Sequence, residues 1–457
     1  MPRSILLLHC HDLGRFLGSY GVNSVRTPHL DALAAQSTVF DAAFSTSPHC
    51  SPARASLFTG SYPQQNGVLG LAHDPFGWDL LDPTTHIAHR LHSIGYATEL
   101  VGVHHESRTL PDAEVAARLG FDRVRTGGDR DVVVERATDA LERAAASDRP
   151  FYLQVGFHEP HRNPSSRDRA GVMGFLGEDI EPDESRGVSI PSYLTQDDAA
   201  HEEIAELQGA VHHMDAGVGE ILSVLDRLGL ADDTIVVFTT DHGLALPRAK
   251  CTLYDAGLGV ALFLRVPGRA GWAGRRIDTL VSHVDVVPTL LELAASTESS
   301  GIPGTSLVPV VEQDARARAY TFGQLTYHTY FDPKRSVRSA SAKLILNLSN
   351  APSSMDPTQS WMHRSTPVDL KGPTIATSSV MEFYDLADDP DELVNLIDDP
   401  SRADQIAEFA SALWEWMLTT GDPVVDQPTS PRHTHAISTL ERIARGASSP
   451  TTVEQPV

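Results

Sequence analysis

The sequence predicts an α/β fold: a large, mixed but mostly parallel sheet sandwiched by helices, with a smaller C-terminal α+β subdomain. Short apolar segments alternate with longer segments of helical apolar spacing over the larger N-terminal part, which is typical of a parallel sheet covered on both faces. Residues 234–239 form a β-branched run that is typical of a buried strand. The chain has 457 residues, more than one core of ordinary size accommodates, so a second structural unit is expected.

The elements of the large domain alternate in the order that this fold requires. The predicted strands are residues 5–8, 97–101, 151–155, 234–239 and 260–266. The predicted helices are residues 27–36, 84–94, 132–145, 198–228 and 284–294. Pro28 suits the first position of its helix, because the N–H that it lacks has no partner there in any residue. We place this α/β domain at residues 1–318.

The pattern changes after residue 318. Short β-like segments at residues 320–324, 342–348 and 382–386 surround a polar loop at residues 350–377. A helix at residues 402–418 follows, so we predict a small antiparallel sheet packed with one helix at residues 319–421. Residues 422–457 are rich in Pro, Ser and Thr, and their composition predicts a flexible tail.

The charge of the chain restricts its partners. The formal net charge is −24, which disfavours a nucleic-acid or anionic-membrane partner, since both need a basic face. An anionic substrate must therefore be attracted by a local positive group such as a metal. Basic charge is nearly all arginine, so a lysine near a site is informative. The four lysines are Lys250, Lys334, Lys343 and Lys371.

Cysteine usage and the N-terminal residues bear on the compartment. The three cysteines, Cys10, Cys50 and Cys251, are too few for a disulfide framework. Residues 4–8 are apolar, but they are too few for a secretory leader or a membrane-spanning helix, and we interpret them as the first core strand. We therefore expect a cytoplasmic protein without a membrane partner.

Residues 50–54 (Cys-Ser-Pro-Ala-Arg) are the most informative stretch of the chain. Pro52 suits a helix start, which places Cys50 just ahead of free N–H groups that favour an anion. Arg54, one turn further on, carries a guanidinium able to bind an oxyanion through two hydrogen bonds. The alternative for this stretch alone is a buried structural cysteine beside a surface arginine.

Two polar clusters follow predicted strands. Residues 9–12 (His-Cys-His-Asp) follow the first strand, and residues 240–243 (Thr-Asp-His-Gly) follow the strand at 234–239. Ligands of open α/β sheets bind at the carboxyl ends of strands, and carboxylates with imidazoles are suitable ligands for a divalent cation. Either cluster alone is explained by turn chemistry, but two of them beside the cysteine motif favour a metal site.

Together these stretches resemble the formylglycine-dependent sulfatases of the alkaline-phosphatase superfamily, over roughly residues 3–420. Residues 26–33, residues 238–243, and residues 382–386 with the Asp-Pro and Asn-Leu pairs that follow are similar to further family segments. The resemblance implies that a formylglycine-generating enzyme oxidises Cys50 to formylglycine (3-oxoalanine). The hydrated aldehyde would then attack sulfur with the help of one divalent metal.

The same resemblance implies the metal ligands. Asp12 and Asp241 match a pair of family ligands, while His11 and His242 stand where the family usually has Asp and Asn. Calcium, manganese and zinc are the candidate ions, and the additional imidazoles shift the preference from calcium toward manganese or zinc.

Further roles are carried over in the same way. His105 and His158 match two family histidines, and His158 is suited to protonating the leaving group. Lys250 falls where the family places a cation against the sulfate, so Cys50, Arg54, His105, His158 and Lys250 form the expected catalytic set. His104 stands where the family commonly has lysine, and we assign His104 and His161 to substrate binding.

A likeness to the heparan N-sulfatases (sulfamidases) rests on three stretches, at residues 149–153, 157–162 and 335–338. It favours a sulfated sugar as substrate, although Lys250 replaces the arginine of that group. Residues 163–192 and 350–377 are expected to shape the substrate pocket.

Three other functions remain open at this point. A phosphonate monoester or phosphodiester hydrolase would use the same nucleophile with a histidine after the later aspartate. A metal-dependent phosphatase or phosphomutase of the superfamily would need an unmodified Ser or Thr in place of Cys50. A catalytically inactive binding protein derived from a sulfatase would explain the missing lysine and the unusual His11.

Overall fold

An eight-stranded mixed sheet lies at the centre of the large domain. The structure is a computed structural model that describes residues 3–162, 174–175, 180–269, 271–294, 301–351, 364–369 and 377–446. The strands are β1 (Ser4–Cys10), β2 (Thr38–Phe40), β3 (Ala43–Phe44), β4 (Ala97–Gly102), β5 (Arg123–Thr126), β6 (Phe151–Gly156), β7 (Thr234–Thr240), β8 (Leu262–Arg265), β9 (Arg275–Ile277), β10 (Val281–Ser282), β11 (Thr321–Tyr327), β12 (Phe331–Arg338), β13 (Ala342–Asn347) and β14 (Met381–Asp385). The helices are α1 (Pro28–Ala35), α2 (Cys50–Thr59), α3 (Pro63–Asn66), α4 (Ile87–Ser93), α5 (Asp112–Leu119), α6 (Arg130–Ala145), α7 (Asp198–Arg227), α8 (Asp255–Leu258), α9 (Val286–Leu293), α10 (Val308–Gln313), α11 (Ala403–Thr419) and α12 (Pro431–Ala444).

The strand order of the large sheet is β5-β4-β6-β1-β7-β8-β2-β9. Neighbours from β5 to β7 pair in parallel, and β8 runs antiparallel to both β7 and β2. The prediction of a mixed, mostly parallel sheet is confirmed. Because β1 lies between β6 and β7, the carboxyl ends of all three strands meet at one edge of the sheet. His9 is paired with Gly156, and Cys10 with Thr240, at this edge.

Helices cover both faces of the sheet because side chains alternate along each strand. Leu6 and Leu8 of β1 belong to one buried cluster, which includes side chains of α6 and α7. Ile5 and Leu7 belong to the cluster on the opposite face, which includes side chains of α2, α4 and α9. The central strand is therefore buried on both sides, as its continuous apolar run predicts.

The C-terminal subdomain is a four-stranded antiparallel sheet in the order β11-β12-β13-β14, with α11 packed on it. Phe322 of β11 stacks on Trp416 of α11, with ring centroids 4.9 Å apart. The predicted antiparallel sheet and helix are thus confirmed. The boundaries at residues 318 and 421 remain predictions.

The prediction of a flexible tail from residue 422 is wrong for α12. Ser430 caps this helix by accepting from the N–H of His433, and Pro431 occupies its first turn. Ala436 and Leu440 belong to the core of the subdomain. Composition suggested disorder, but a cap and two apolar positions on one face suffice for a helix that packs on α11. Residues 447–457 lie outside the described residues.

No helix within the described ranges combines the length and the apolar character needed to cross a membrane. Half of residues 163–192 and most of residues 350–377, the two segments expected to shape the substrate pocket, lie outside the described residues.

Candidate active site

The two polar clusters that follow β1 and β7 come together at one edge of the sheet. The backbone N–H of Asp12 donates to Oδ1 of Asp241 (2.9 Å), and the N–H of His242 donates to the same oxygen (2.8 Å). Asp12 has a φ of 52°, a turn that allows this approach. The Oδ2 atom of Asp241 is left to face the other side chains of the site.

Cys50 lies against this cluster at the start of α2. The whole of α2 is buried, and His49 is its N-cap residue. The Sγ atom of Cys50 is 3.6 Å from Nε2 of His242. The ligand atoms of Cys50, Asp12, Asp241 and His242 all lie within 4.8 Å of one another, close enough to surround one metal ion.

Arg54 connects α2 to both clusters. It is fully buried, and its Nη2 atom donates to Oδ2 of Asp241 (3.1 Å) and to the carbonyl oxygen of Cys10 (3.3 Å). Its Nη1 atom contacts Nδ1 of His9. Burial would raise the pKa of Asp241, but His242 and Arg54 outweigh it and hold that pKa well below its ordinary value. Arg54 thus helps to keep the Asp241 carboxylate ionised, and its contact with substrate stays a prediction.

The ring of His242 is oriented as a metal ligand requires. Its Nδ1 atom is 3.0 Å from the carbonyl oxygen of Gly243, which can only accept, so Nδ1 carries the proton. Its Nε2 atom lies 2.9 Å from Oδ1 of Asp12 and 3.6 Å from Oδ2 of Asp241. Burial would lower the pKa of His242, but the two carboxylates outweigh it and raise that pKa to about 10. A cation, either a proton or a metal, is therefore strongly favoured at Nε2.

His11 supplies independent support for a metal. It is completely buried, its Nδ1 atom is 3.3 Å from Oδ2 of Asp241, and neither ring nitrogen has a hydrogen-bond partner in the part of the chain that the structure describes. Burial, followed by the charge of Arg54, lowers the pKa of His11, so the ring is neutral. A buried neutral imidazole beside two carboxylates fits a divalent cation. The residues therefore fit the group that the sequence implied.

Lys250 faces the same carboxylates. It is buried, and its Nζ atom lies 3.1 Å from Oδ1 and 2.9 Å from Oδ2 of Asp12. Burial would raise the pKa of Asp12, but Lys250 first, and then His161 and His242, hold it well below its ordinary value. The lysine that the sequence singled out is thus part of the site.

Three further imidazoles surround His11. The ring centroids of His105, His158 and His161 lie 5.2, 5.5 and 5.0 Å from that of His11. Burial lowers the pKa of all three, to about 4 for His161. A substrate anion placed beside these rings would raise those values again. The exposed side chain of His158 is the most accessible of the set.

His104 is hydrogen-bonded within its own loop, whereas the adjacent His105 lies beside His11. Its Nε2 atom is 3.0 Å from Oγ of Ser107, within its own loop. The adjacent Glu106 is buried and accepts from the N–H of His105 (2.9 Å) and from Nε2 of Gln154 (2.8 Å). The described hydrogen bond of His104 thus points to the loop rather than to the metal ligands, and its substrate contact stays a prediction.

The structure adds residues that sequence reasoning missed. His328 follows β11, is buried, and has no hydrogen-bond partner for Nδ1 among the described residues. Its ring centroid is 5.4 Å from that of His49, the N-cap of α2. Burial, then the charges of Lys250 and His242, lower the pKa of His328. His73 lies beside His105, with centroids 5.7 Å apart. No local pattern marks these histidines, because only the tertiary fold brings them to the site.

Comparisons with known proteins find similar sequences and similar folds. The sequence model of the family described as Sulfatase matches residues 5–296. Human N-sulphoglucosamine sulphohydrolase is 30% identical over 466 residues, which cover 93% of this chain and 92% of the human protein. A solved protein in complex with its substrate D-glucosamine-2-N,6-O-disulfate is similar, with 18% identity, a TM-score of 0.69, and coverage of 94% and 100%. A phosphonate monoester hydrolase from Silicibacter pomeroyi has 19% identity, a TM-score of 0.66, and coverage of 93% and 97%.

Proposed function

Because this chain belongs to the sulfatase family and is a sulfuric ester hydrolase, we propose that it desulfates a sulfated sugar through formylglycine at position 50 and one divalent metal. The observation that carries the proposal is the position of Cys50. Its sulfur lies within 4.8 Å of ligand atoms of Asp12, Asp241 and His242, at the start of a buried helix. The sulfur stands in for the oxygens of hydrated formylglycine, which a formylglycine-generating enzyme would introduce.

The metal would be held by His11, Asp12, Asp241 and His242. When bound, it would acidify the hydrated aldehyde and supply positive charge for the sulfate oxygens. The protein keeps both carboxylates ionised with buried cations, Arg54 at Asp241 and Lys250 at Asp12. His11 and His242 would supply two nitrogen donors beside the carboxylates of Asp12 and Asp241, which supports manganese or zinc over calcium.

The reaction combines a displacement at sulfur with a later elimination at carbon. One hydroxyl of the gem-diol loses its proton to solvent and attacks sulfur, the S–O or S–N bond to the sugar breaks, and the leaving group takes a proton from His158 or His105. The second hydroxyl then loses its proton and re-forms the C=O bond, which expels sulfate and regenerates the aldehyde. A plain serine or thiol has no second hydroxyl and would stop after the first displacement.

The surrounding charges fit an anion. Lys250 is buried beside Asp12, and the rings of His105 and His158, which lie next to His11, can each offer an N–H group to an anion. Such donors stabilise the charge that develops on the sulfate oxygens and the bridging atom in the transition state. In a chain of net charge −24, this local positive site also explains how an anionic substrate is attracted.

The sugar class rests on relatives. Similarity to human N-sulphoglucosamine sulphohydrolase extends over most of both chains, and the complex with D-glucosamine-2-N,6-O-disulfate shares the fold. We therefore propose a sulfated glucosamine-type sugar, with an N-sulfate or an O-sulfate as the group removed. Because Lys250 stands where the sulfamidases have arginine, both the S–N bond of an N-sulfate and the S–O bond of an O-sulfate remain candidates for cleavage.

One other activity has a specific observation in its favour. His242 follows Asp241, as in phosphonate monoester hydrolases, and the enzyme from Silicibacter pomeroyi shares the fold. A phosphonate or phosphodiester substrate would use the same nucleophile and the same ligands. The two activities are distinguished by whether a sulfated or a phosphonate substrate has the higher kcat/KM.

A substrate panel separates these functions. The protein is co-expressed with a formylglycine-generating enzyme, and kcat/KM is measured for N-sulfoglucosamine, a glucosamine O-sulfate, an aryl sulfate and an aryl phosphonate monoester. Cys50→Ala is the blank. Highest turnover of a sulfo-sugar supports the proposal, and faster turnover of the phosphonate supports the second activity. Absence of both turnover and bound metal would favour the inactive binding protein.

A further inference from the structure

His161 is oriented like a metal ligand. Its Nδ1 atom is 2.8 Å from the carbonyl oxygen of Arg162, which can only accept, so the proton of the neutral ring is on Nδ1. Its Nε2 atom then carries a lone pair and lies 3.6 Å from Oδ2 of Asp12. Two acceptors facing each other repel unless a cation lies between them. The orientation is the same as that of His242, whose Nδ1 also faces a backbone carbonyl.

Buried contacts fix the segment that carries this ring. Arg162 is fully buried, and its guanidinium pairs with Oε1 of Glu203 (2.8 Å) from α7. It also donates from Nε to the carbonyl oxygen of Ala245 (2.9 Å) and lies over the ring of Phe175, 4.2 Å from its centroid. Supports of this kind orient the ligands of metal sites, because a ligand ring must be held within a narrow range of angles.

The ligand atoms converge in a second, overlapping group. Those of His11, Asp12, Cys50 and His161 all lie within 4.8 Å of one another, and Asp12 and Cys50 also belong to the group that contains Asp241 and His242. Among the described residues, His158 belongs to neither group, although its ring centroid is only 4.9 Å from that of His161. Because the two groups share Asp12 and Cys50, they describe one centre, and His161 lies close enough to take part in it.

We propose that His161 is a ligand of the metal and supplies a third imidazole, in place of the substrate contact expected from the sequence. The proposal rests on the metal dependence given under the proposed function. One ion would then have His11, His161 and His242 as nitrogen donors, and Asp12 and Asp241 as oxygen donors. A centre with three imidazoles prefers manganese, iron or zinc to calcium more strongly than one with two.

The test measures metal binding without turnover. Apo protein is titrated with Mn²⁺ by calorimetry, bound ions are counted by mass spectrometry, and the imidazole nitrogens coupled to Mn²⁺ are counted by electron spin-echo spectroscopy. We expect one ion and three coupled imidazoles in the unaltered protein. His161→Ala should show two coupled imidazoles and a Mn²⁺ affinity lower by about tenfold or more, since even outer-shell changes cost that much.

Two variants control the result. His161→Asp supplies a carboxylate ligand and should recover much of the affinity, whereas His158→Ala should keep three coupled imidazoles. Circular dichroism of the apo forms confirms that each variant is folded. Unchanged affinity and nitrogen count in folded His161→Ala would overturn this inference alone. Failure of the unaltered protein to bind Mn²⁺, Zn²⁺ or Ca²⁺ would overturn the metal dependence itself.

Discussion

The amine of Lys250 lies 3.1 and 2.9 Å from the two carboxylate oxygens of Asp12, although the residues are 238 positions apart in the chain. Both side chains are buried, so each compensates a charge that would otherwise be costly to bury. The pair places the lysine amine next to the Asp12 carboxylate, which itself has an oxygen within 4.8 Å of the Cys50 sulfur. We predict that Lys250, which neutralises Asp12 in this structure, also contacts the sulfate group of the bound substrate.

Replacing this lysine should mainly impair catalysis. We expect Lys250→Met to lower kcat/KM by about 10²–10³-fold, the size typical of losing one group that stabilises a developing oxyanion. Lys334→Met is the matched control, because Lys334 is also buried and pairs with an aspartate, Asp332 (2.8 Å), in the C-terminal sheet. An equal fall in both variants would indicate a general loss of stability rather than a role at the site.

Cys50→Ser should trap the first half of the reaction. Serine is not converted to formylglycine and has one hydroxyl, so a sulfated enzyme should accumulate with at most one turnover per chain. Intact-mass measurement after incubation with the best substrate of the panel checks this. Cys251→Ser, which leaves the motif intact, should turn over repeatedly. Multiple turnovers by Cys50→Ser would contradict the requirement for an aldehyde.

Metal removal should abolish activity reversibly. Dialysis against a chelator would remove the ion that is proposed to acidify the hydrated aldehyde, and re-addition should restore turnover. Because the centre is rich in imidazole nitrogen, Mn²⁺ or Zn²⁺ should restore activity at lower free concentration than Ca²⁺. Titration of the apo enzyme with each ion measures this order, and a clear preference for Ca²⁺ would contradict the assigned ligands.

The hairpin after β11 should contribute to substrate binding. His328 is buried beside the site, with an Nδ1 atom that has no partner among the described residues. If this atom donates to the anionic substrate, His328→Ala loses a hydrogen bond worth about 1.5 kcal/mol, so KM should rise about tenfold. The exposed His435 on α12 provides the control, since His435→Ala should leave KM unchanged. Equal KM values would remove His328 from the site.

Asp215 predicts a pH dependence of stability. Its carboxylate on α7 accepts from the N–H groups of Leu30 (2.8 Å) and His29 (3.2 Å), and burial raises its pKa to about 6. Between about pH 4 and 6 the folded state binds more protons than the unfolded state, so this group lowers the free energy of unfolding as pH rises through that range. The loss amounts to about 3 kcal/mol.

Asp215→Asn should remove that dependence while keeping an oxygen that accepts from α1. The free energy of unfolding of the variant minus that of the unaltered protein should therefore be more positive at pH 7 than at pH 4. Urea unfolding at the two pH values measures the difference. A difference that is the same at both values would contradict the raised pKa.

The central fold was predictable because its strands are buried on both faces. Continuous apolar runs such as residues 234–239 have few other interpretations. By contrast, β12 escaped detection because Lys334 and Arg335 interrupt its apolar character. Both are buried through ion pairs, with Asp332 and with Asp422 respectively, and the second joins residues 87 positions apart. The pairing of Arg335 with Asp422 is a property of the tertiary structure and has no local signal.

Some residues of the candidate site were likewise predictable from the sequence, and others were not. Cys50, Asp12 and Asp241 lie in short motifs at strand and helix ends, so their convergence followed from the rule that ligands bind at the carboxyl ends of strands. His328 reaches the site from another sheet. His161 gains its orientation from Arg162 and from Glu203, which lies on α7. Their roles depend on contacts between distant segments and could not be read from spacing.

The most direct test of the account is the chemical state of Cys50. The protein is expressed with a formylglycine-generating enzyme, and the tryptic peptide of residues 27–54 is sequenced by mass spectrometry, with and without an aldehyde-reactive hydrazide. We predict an aldehyde at position 50 that reacts with the hydrazide and whose fraction scales with sulfatase activity. Two results would contradict the account. One is a fully unmodified thiol in a protein that still desulfates its substrates, and the other is an aldehyde in a protein that desulfates none of them.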